Sequence, residues 1–510
     1  MSFTVHFQTR DFSGTFSPLL TGSLANPIHF VPVSFSWSAF GGPDKALLTT
    51  DSPVDRLFDL PSLIRCPVAI KDGGGQPVWW GFVSQVTIYF EHTVVTIAIE
   101  NLFNQVKVEY SFISPDNKLG EQLATPPASS VPSQSEYGTR ELVVKRFGID
   151  DDFALSLRDT LLNQFTWPMS TIAQRHHPGH IRAEIKCAGW FSTLSWKFYQ
   201  NLEGFWGNYG PGPGVFFFDN ASTSRYPAQR FTPGAPAQLK YVWFQLRKVG
   251  APTRNLTAEL RSSAGSVLAV SDPFPGASLS DTSYTWVKFT FSTPVALTAG
   301  TTYMVNVTST GTDPSHHFSI RSDENQSFIG GHARFYNGSS WGYLPSITQP
   351  GGRPDLFFRV VTITDTGTQL YDIASSGSQF FNRIESVSTG VFTSPYRDNG
   401  LDCLSEVQAL MNLGTANHRL ILASVTPNRH LIFTEQPDPN SPAVYLDRHA
   451  RFLNFEGIPL KSYLPPVGSW ARFSATNRIN LPWDRHRIPP CFIMHAEYFP
   501  AEDHLKINNP

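Results

Sequence analysis

Charge is scarce in this 510-residue chain: Asp, Glu, Lys and Arg make up 16% of it, against about 25% in an average globular domain. The 39 basic and 41 acidic residues leave a formal net charge of −2, too little field to wrap nucleic acid or to hold an anionic membrane surface. Only four cysteines occur, Cys66, Cys187, Cys403 and Cys491, far apart and without a CxxC pair. That spacing excludes a zinc site and leaves buried free thiols as the expectation. No stretch approaches the ~18 apolar residues of a membrane-spanning helix, and the opening MSFTVHFQTRDFSG lacks a basic segment followed by an apolar one. The expected protein is cytoplasmically made, without a signal peptide or a membrane-spanning segment. GxSxG, HExxH and Cys-His signatures are also missing, so no catalytic residue is assigned and the chain is read as a non-enzyme.

Aromatics are plentiful, at 13% with 40 Phe, beside 37 Gly and 40 Pro. Such a composition suits short strands joined by many turns. With so little charge to cover a Phe-rich surface, part of the exterior is expected to lie against partner subunits. The length exceeds what one hydrophobic core organises.

Residues 1–112 alternate apolar runs with the turn clusters FGGPDK and KDGGGQP. Gly73, Gly74 and Gly75 are followed by no helix-opening Lys-Ser/Thr, so they read as a hairpin turn and not a phosphate cradle. Beyond them VWWGFVSQVTIYF and HTVVTIAIENLF predict two paired strands. Residues 113–136 hold Pro, Ser and Gln with few large apolar side chains and read as a linker or extended arm. The block 137–202 contains a predicted helix, DDFALSLRDTLLNQF, with Phe153, Leu157, Leu161 and Leu162 as its apolar face. Past Gly210-Pro211-Gly212-Pro213-Gly214 the texture becomes evenly spaced strands, and residues 215–362 predict a self-contained antiparallel β-sandwich of jelly-roll type, with Trp243 and Trp286 in its core. The block 366–510 contains a helix from Leu401 to Leu413, opened at Asp402 and ended at Gly414. A hairpin, HRLILASV and RHLIFTEQ, follows around Thr426-Pro427-Asn428-Arg429.

The order WWGFVSQVTI, EYGTRELVV, GWFSTLSWKFY, LDCLSEVQALMNLG and LILASVTPNRHLIF on both flanks of the sandwich resembles the tail-tip hub proteins of tailed phages and related particles. That resemblance implies a mainly β fold of tube-like β-barrel hub domains with a few short helices, interrupted by the inserted sandwich. It also implies a homotrimeric ring in the virion tail tip that closes the tail tube and seats a central spike or fibre among other tail-tip and tail-tube proteins. Distal-tail or minor tail proteins and receptor-binding adhesins are the alternative, and behind them stands a polysaccharide-degrading enzyme with an accessory binding module, since glycosidase carboxylates leave no linear motif. The insert is similar to carbohydrate-binding jelly rolls through QRFTPGAPAQLKYVWFQLRKVG, SYTWVKFTFSTPVALTAGTTYMVNV and FYNGSSWGYLP, which implies adhesion to a host-surface glycan.

Sugars are held by aromatic rings on their C–H faces and by a few planar polar groups. Tyr336, Trp341 and Tyr343, in a Gly/Ser/Asn loop, fit that chemistry, with His332, Arg334, Asn337, Asp323, Glu324 and Asn325 as hydrogen-bonding candidates. The same rings read equally as structural packing. No cofactor is expected. Asp219, Asn220 and Asp355 are weak candidates for a structural calcium, which prefers several oxygen ligands. His176, His177 and His180 flank a Pro-Gly turn and read as a solvated loop.

Overall fold

The computed structural model describes residues 2–14, 28–50, 57, 59–111, 123–174, 181–199, 205–208, 213–218, 226–233, 236–309, 313–324, 331–344, 353–387, 390–393, 401–438, 444–446, 452–453, 460–461, 463–473 and 491–508. The fold is mainly β, with curled antiparallel sheets that include a half-barrel, and with sandwich-like sheets. The chain divides into two compact units. Unit 1 comprises Met1–Tyr199, Thr366–Gly390 and Asn399–Pro510, and unit 2 comprises Gln200–Asp365 and Val391–Asp398.

In unit 1 the main path of the curled sheet runs Thr4–Phe7, Pro67–Lys71, Pro77–Tyr89, Arg182–Ala188, Phe40–Thr50, Val31–Ser38, His495–Phe499 and His504–Asn508. The glycine cluster is the expected hairpin turn. The Asp72 carboxylate accepts the N–H groups of Gly74 and Gln76 at 3.0 Å each, and Gly75 takes φ +79°, a left-handed conformation that glycine adopts without a steric penalty. Trp79 is buried and donates its indole N–H to the Ser36 carbonyl at 3.2 Å. The strand Pro77–Tyr89 then pairs with Thr93–Ala98.

The segment expected to be a linker is in part structured. Leu123–Ala124 and Ala128–Ser129 both pair with the strand Gln105–Ser111, and Val131–Tyr137 forms a helix. Lacking apolar side chains, the segment borrows order from a neighbour: Pro132 sits in the helix's first turn, where no amide donor is needed, and buried Ser133 donates to the Thr166 carbonyl at 2.6 Å. The helix Asp151–Phe165 keeps Leu157, Leu161 and Leu162 of its expected face half-buried, and its rotation sets Ala154 inward instead of Phe153. Ala154 and Leu157 pack against Val108 and Tyr110, while Phe153 is 57% exposed. Tyr110 fixes that rotation by donating its hydroxyl to Asp151 at 2.6 Å.

Late in unit 1, Asp402 accepts the Ser405 N–H at 2.9 Å to open the helix Cys403–Leu413, and Gly414 at φ +76° ends it. The helix Thr366–Gly377, which the sequence left unassigned, packs against it, with Leu370, Ile373 and Ala374 buried. Ile421–Val425 and His430–Glu435 form the expected hairpin. Early and late segments share one sheet and one core: Phe35 pairs with Tyr498, Ala423 with Phe40, and Phe35, Trp79, Trp190, Val407 and Tyr498 belong to one buried cluster.

Unit 2 contains two antiparallel sheets around a single core of Val242, Phe244, Leu246, Leu260, Val287, Phe289, Phe291 and Phe318 among others. It extends past the expected borders, because Phe205–Asn208 pairs with Phe358–Asp365, and Phe392–Thr393 pairs with Thr364 and Asp365. Trp243 and Trp286 are not core residues. The buried phase of their strands is Val242, Phe244, Leu246 and Val287, Phe289, Phe291, so both tryptophans fall on the opposite face. There Trp286 lies under the Arg359 guanidinium at 4.3 Å and Trp243 registers with Lys288.

Candidate glycan-binding face

The second sheet of unit 2 runs Val267–Val270, Asn255–Ser262, Tyr303–Ser309, Tyr226–Phe231, Ala333–Tyr336 and Trp341–Tyr343. Its core side carries Leu256, Ala258, Leu260, Val305 and Val307. Strand alternation therefore sends Glu259, Arg261, Met304, Asn306, Tyr226, Arg230 and Arg334 to the other side. Pairing sets them in rows: Glu259 opposite Asn306, Asn306 opposite Ala228, Ala228 opposite Arg334, and Arg334 opposite Tyr343. The neighbouring row is Tyr226, Tyr336 and Trp341.

The three rings of that row pack on one another. Tyr226 and Tyr336 stack at 5.0 Å, Tyr226 meets Trp341 edge-on at 5.7 Å, and Tyr336 and Trp341 lie 5.3 Å apart. Gly265, at φ +99°, admits the Trp341 indole so closely that a Cβ there would stand 2.3 Å from its nitrogen. The Arg261 guanidinium lies over both Tyr226 and Trp341, and its Nε donates to Glu259 and Asn306 at 2.9 Å each. Asn306 in turn donates to Glu259 at 3.0 Å. This half of the face is satisfied within itself.

The other half is not. Arg334 lies over the Tyr343 ring at 4.5 Å and Arg353 over the same ring at 4.0 Å, while Tyr343 is 44% exposed. Arg230 lies on the strand beside Arg334. Arg230 Nε, Arg334 Nε and His332 Nδ1 are all buried and have no hydrogen-bond partner among the described residues. Cation–π contact positions the Arg334 and Arg353 guanidiniums without occupying their N–H donors, and no carboxylate among the described residues pairs with either.

Of the residues chosen from the sequence, the structure gathers Tyr336, Trp341, Tyr343 and Arg334 on this face, with His332 at its margin. Asn337 accepts the N–H groups of Ser339 and Ser340 at 2.9 Å each and shapes the turn. Asp323 is a correction: it is fully buried on the other sheet, in register with Asp355, because its strand, His317–Asp323, ends at the sandwich interior. Asp355 is equally buried and accepts from Gln229 at 3.2 Å. Asp219, Asn220, Asn325, His176, His177 and His180 lie outside the described residues. Among the described residues no group of three potential metal ligands gathers. Tyr226, Arg230, Glu259, Arg261, Asn306 and Arg353 escaped the sequence reading. The polar positions between Leu256, Ala258 and Leu260 were the available signal.

Unit 1 holds a concavity of about 630 Å³ lined by Lys45, Lys186, Arg140, Glu100, Glu497 and Trp196 among others. Its charges are mixed, and Arg140 is engaged by the Ile99 and Glu100 carbonyls at 2.7 and 3.3 Å. Burial lowers the pKa of that guanidinium to about 10. Among the described residues no helix is long and apolar enough to cross a membrane.

No family model and no curated protein matches the chain. Among solved structures it is similar to the insecticidal delta-endotoxin Cry8Ea1 of Bacillus thuringiensis, at 10% identity over 58% of this chain and 52% of that one, with a TM-score of 0.17. A glycoside hydrolase family 43 arabinoxylan arabinofuranohydrolase from Bacillus subtilis matches at 12% identity over 54% and 63% of the two chains, with a TM-score of 0.16. The chain thus spans less than two thirds of either protein. The VP2 subviral particle of infectious bursal disease virus matches at 7% identity over 70% and 90%, also at 0.16. Likenesses at this level are distant and assign the chain to no family.

Proposed function

We propose that the chain is a structural protein of a phage tail tip, in which unit 1 assembles with copies of itself and with other tail-tip and tail-tube proteins, and unit 2 serves host-surface glycan adhesion. The observation that supports this reading most is the interrupted scaffold. Strands and core residues from the first 199 positions and from the last segment belong to one unit, and unit 2 is set between them in sequence. A binding module carried as an insert in an assembly scaffold is a division of labour suited to adhesion. The reading assigns no catalytic residue. Native mass measurement of the full chain tests assembly, with a homotrimer expected. A monomer at all concentrations up to those that saturate binding to tail proteins would refute the hub role. A receptor-binding adhesin is the second reading, favoured by the donor-rich face of unit 2. Immunogold labelling of particles that carry the chain separates the two, since a hub is marked at the tail end on the tube axis and an adhesin on projecting fibres.

A further inference from the structure

We infer that the open half of this unit 2 face takes an acidic sugar, its carboxylate or sulfate set among the guanidiniums of Arg230, Arg334 and Arg353. The inference rests on the glycan reading above and narrows it. Four arginines and one carboxylate, Glu259, occupy the described face, and that carboxylate is already bound by Arg261 and Asn306. Among the described residues the other three cations, Arg230, Arg334 and Arg353, pair with no carboxylate, on a chain whose formal charge is −2. The charge is local, not a property of the whole surface.

Tyr343 explains how the cations stay together. Its ring attracts Arg334 and Arg353 by its quadrupole and neutralises neither, so their planar N–H forks remain available. The Nε groups of Arg230 and Arg334 are buried and have no partner among the described residues. An ionised oxygen pair matches a guanidinium fork in geometry and charge, whereas a neutral hydroxyl matches it in neither. Trp341 and Tyr336 act as a packed wall, since their rings are engaged with Tyr226 and Arg261.

The test is calorimetric titration of the full chain at physiological ionic strength with four probes: oligogalacturonate, its methyl ester, a sulfated galactan oligosaccharide and polyglutamate. The expected result is at least tenfold tighter binding of one or both acidic sugars than of the ester, with the two acidic probes telling carboxylate from sulfate. In the double variant R230Q/R334Q that preference should vanish, while R334K keeps part of it. Unchanged melting of each variant shows that the fold is intact. Equal binding of acid and ester would overturn the acidic inference and leave the glycan reading standing. A preference that survives R230Q/R334Q places the anion elsewhere and overturns the site. Polyglutamate binding as tightly as the sugars, or no binding of any sugar, would overturn the inference together with the glycan reading.

Discussion

Replacing Phe289 with Ala separates the two cores. Phe289 sits mid-strand in Thr285–Leu297, 1% exposed, edge-on to Phe244 at 6.2 Å and to Phe274 at 6.0 Å. Truncation removes the transfer energy of the ring, both aromatic contacts and the packing around the void, about 3–5 kcal/mol in all. For a unit of this size each kcal/mol moves the midpoint by about 2–4 °C, so the unit 2 transition should fall by roughly 6–20 °C. The buried cluster of unit 1 shares no residue with that of unit 2, so its transition should not move. Differential scanning calorimetry of the full chain reads both. A parallel fall of two transitions, or one transition throughout, would refute the separateness of the cores. A loss below about 1 kcal/mol would refute the tight packing of Phe289.

Three further outcomes are expected. R261M strands the Glu259 carboxylate, whose side chain is 14% exposed, and should cost about 2–4 kcal/mol, whereas E259Q/R261M costs less; thermal melts of the two variants supply the comparison. The Gln76 amide, with Lys461, Tyr463 and the Gly74 amide, holds the Asp72 carboxyl below its ordinary pKa. Its contribution is therefore full above about pH 4 and lost as pH falls through the depressed value. D72N should melt lower than the parent at neutral pH and converge with it in acid, as pH-dependent melting would show. Burial pushes the thiols of Cys66 and Cys403 up to about 11 and about 12, and that of Cys187 higher still. In a C491S background, thiol labelling at pH 8 should be slow in the native chain and complete in denaturant.

What could be read in the sequence is what neighbouring residues decide. Asp402 and Gly414 mark a helix from its two ends, and Thr426–Arg429 turns a hairpin within a few residues. Period-two alternation finds strands but leaves open which face is inward when both carry large side chains. Trp243 and Trp286 are such a case: alternation suits either face, and Val242, Phe244, Val287 and Phe289 form the core. The candidate face shows the same limit: Arg334, Tyr336 and Tyr343 are near in sequence and were found together, whereas Tyr226, Glu259, Arg261 and Asn306 arrive by pairing between distant strands. Asp323 was near in sequence to the site and far from it in the sandwich.

The pairing of Phe35 with Tyr498 and of Phe40 with Ala423 also sets an order of events during synthesis. The strand Val31–Ser38 reaches its outer neighbour only after more than 450 further residues have been made, roughly 20–90 s at typical elongation rates. Throughout that interval one edge of a Phe-rich sheet is open to strangers, while unit 2, almost continuous in sequence, can close early. Slowed translation near the end of the message should therefore raise aggregation of the nascent chain, and supplying the C-terminal segment in trans should relieve it.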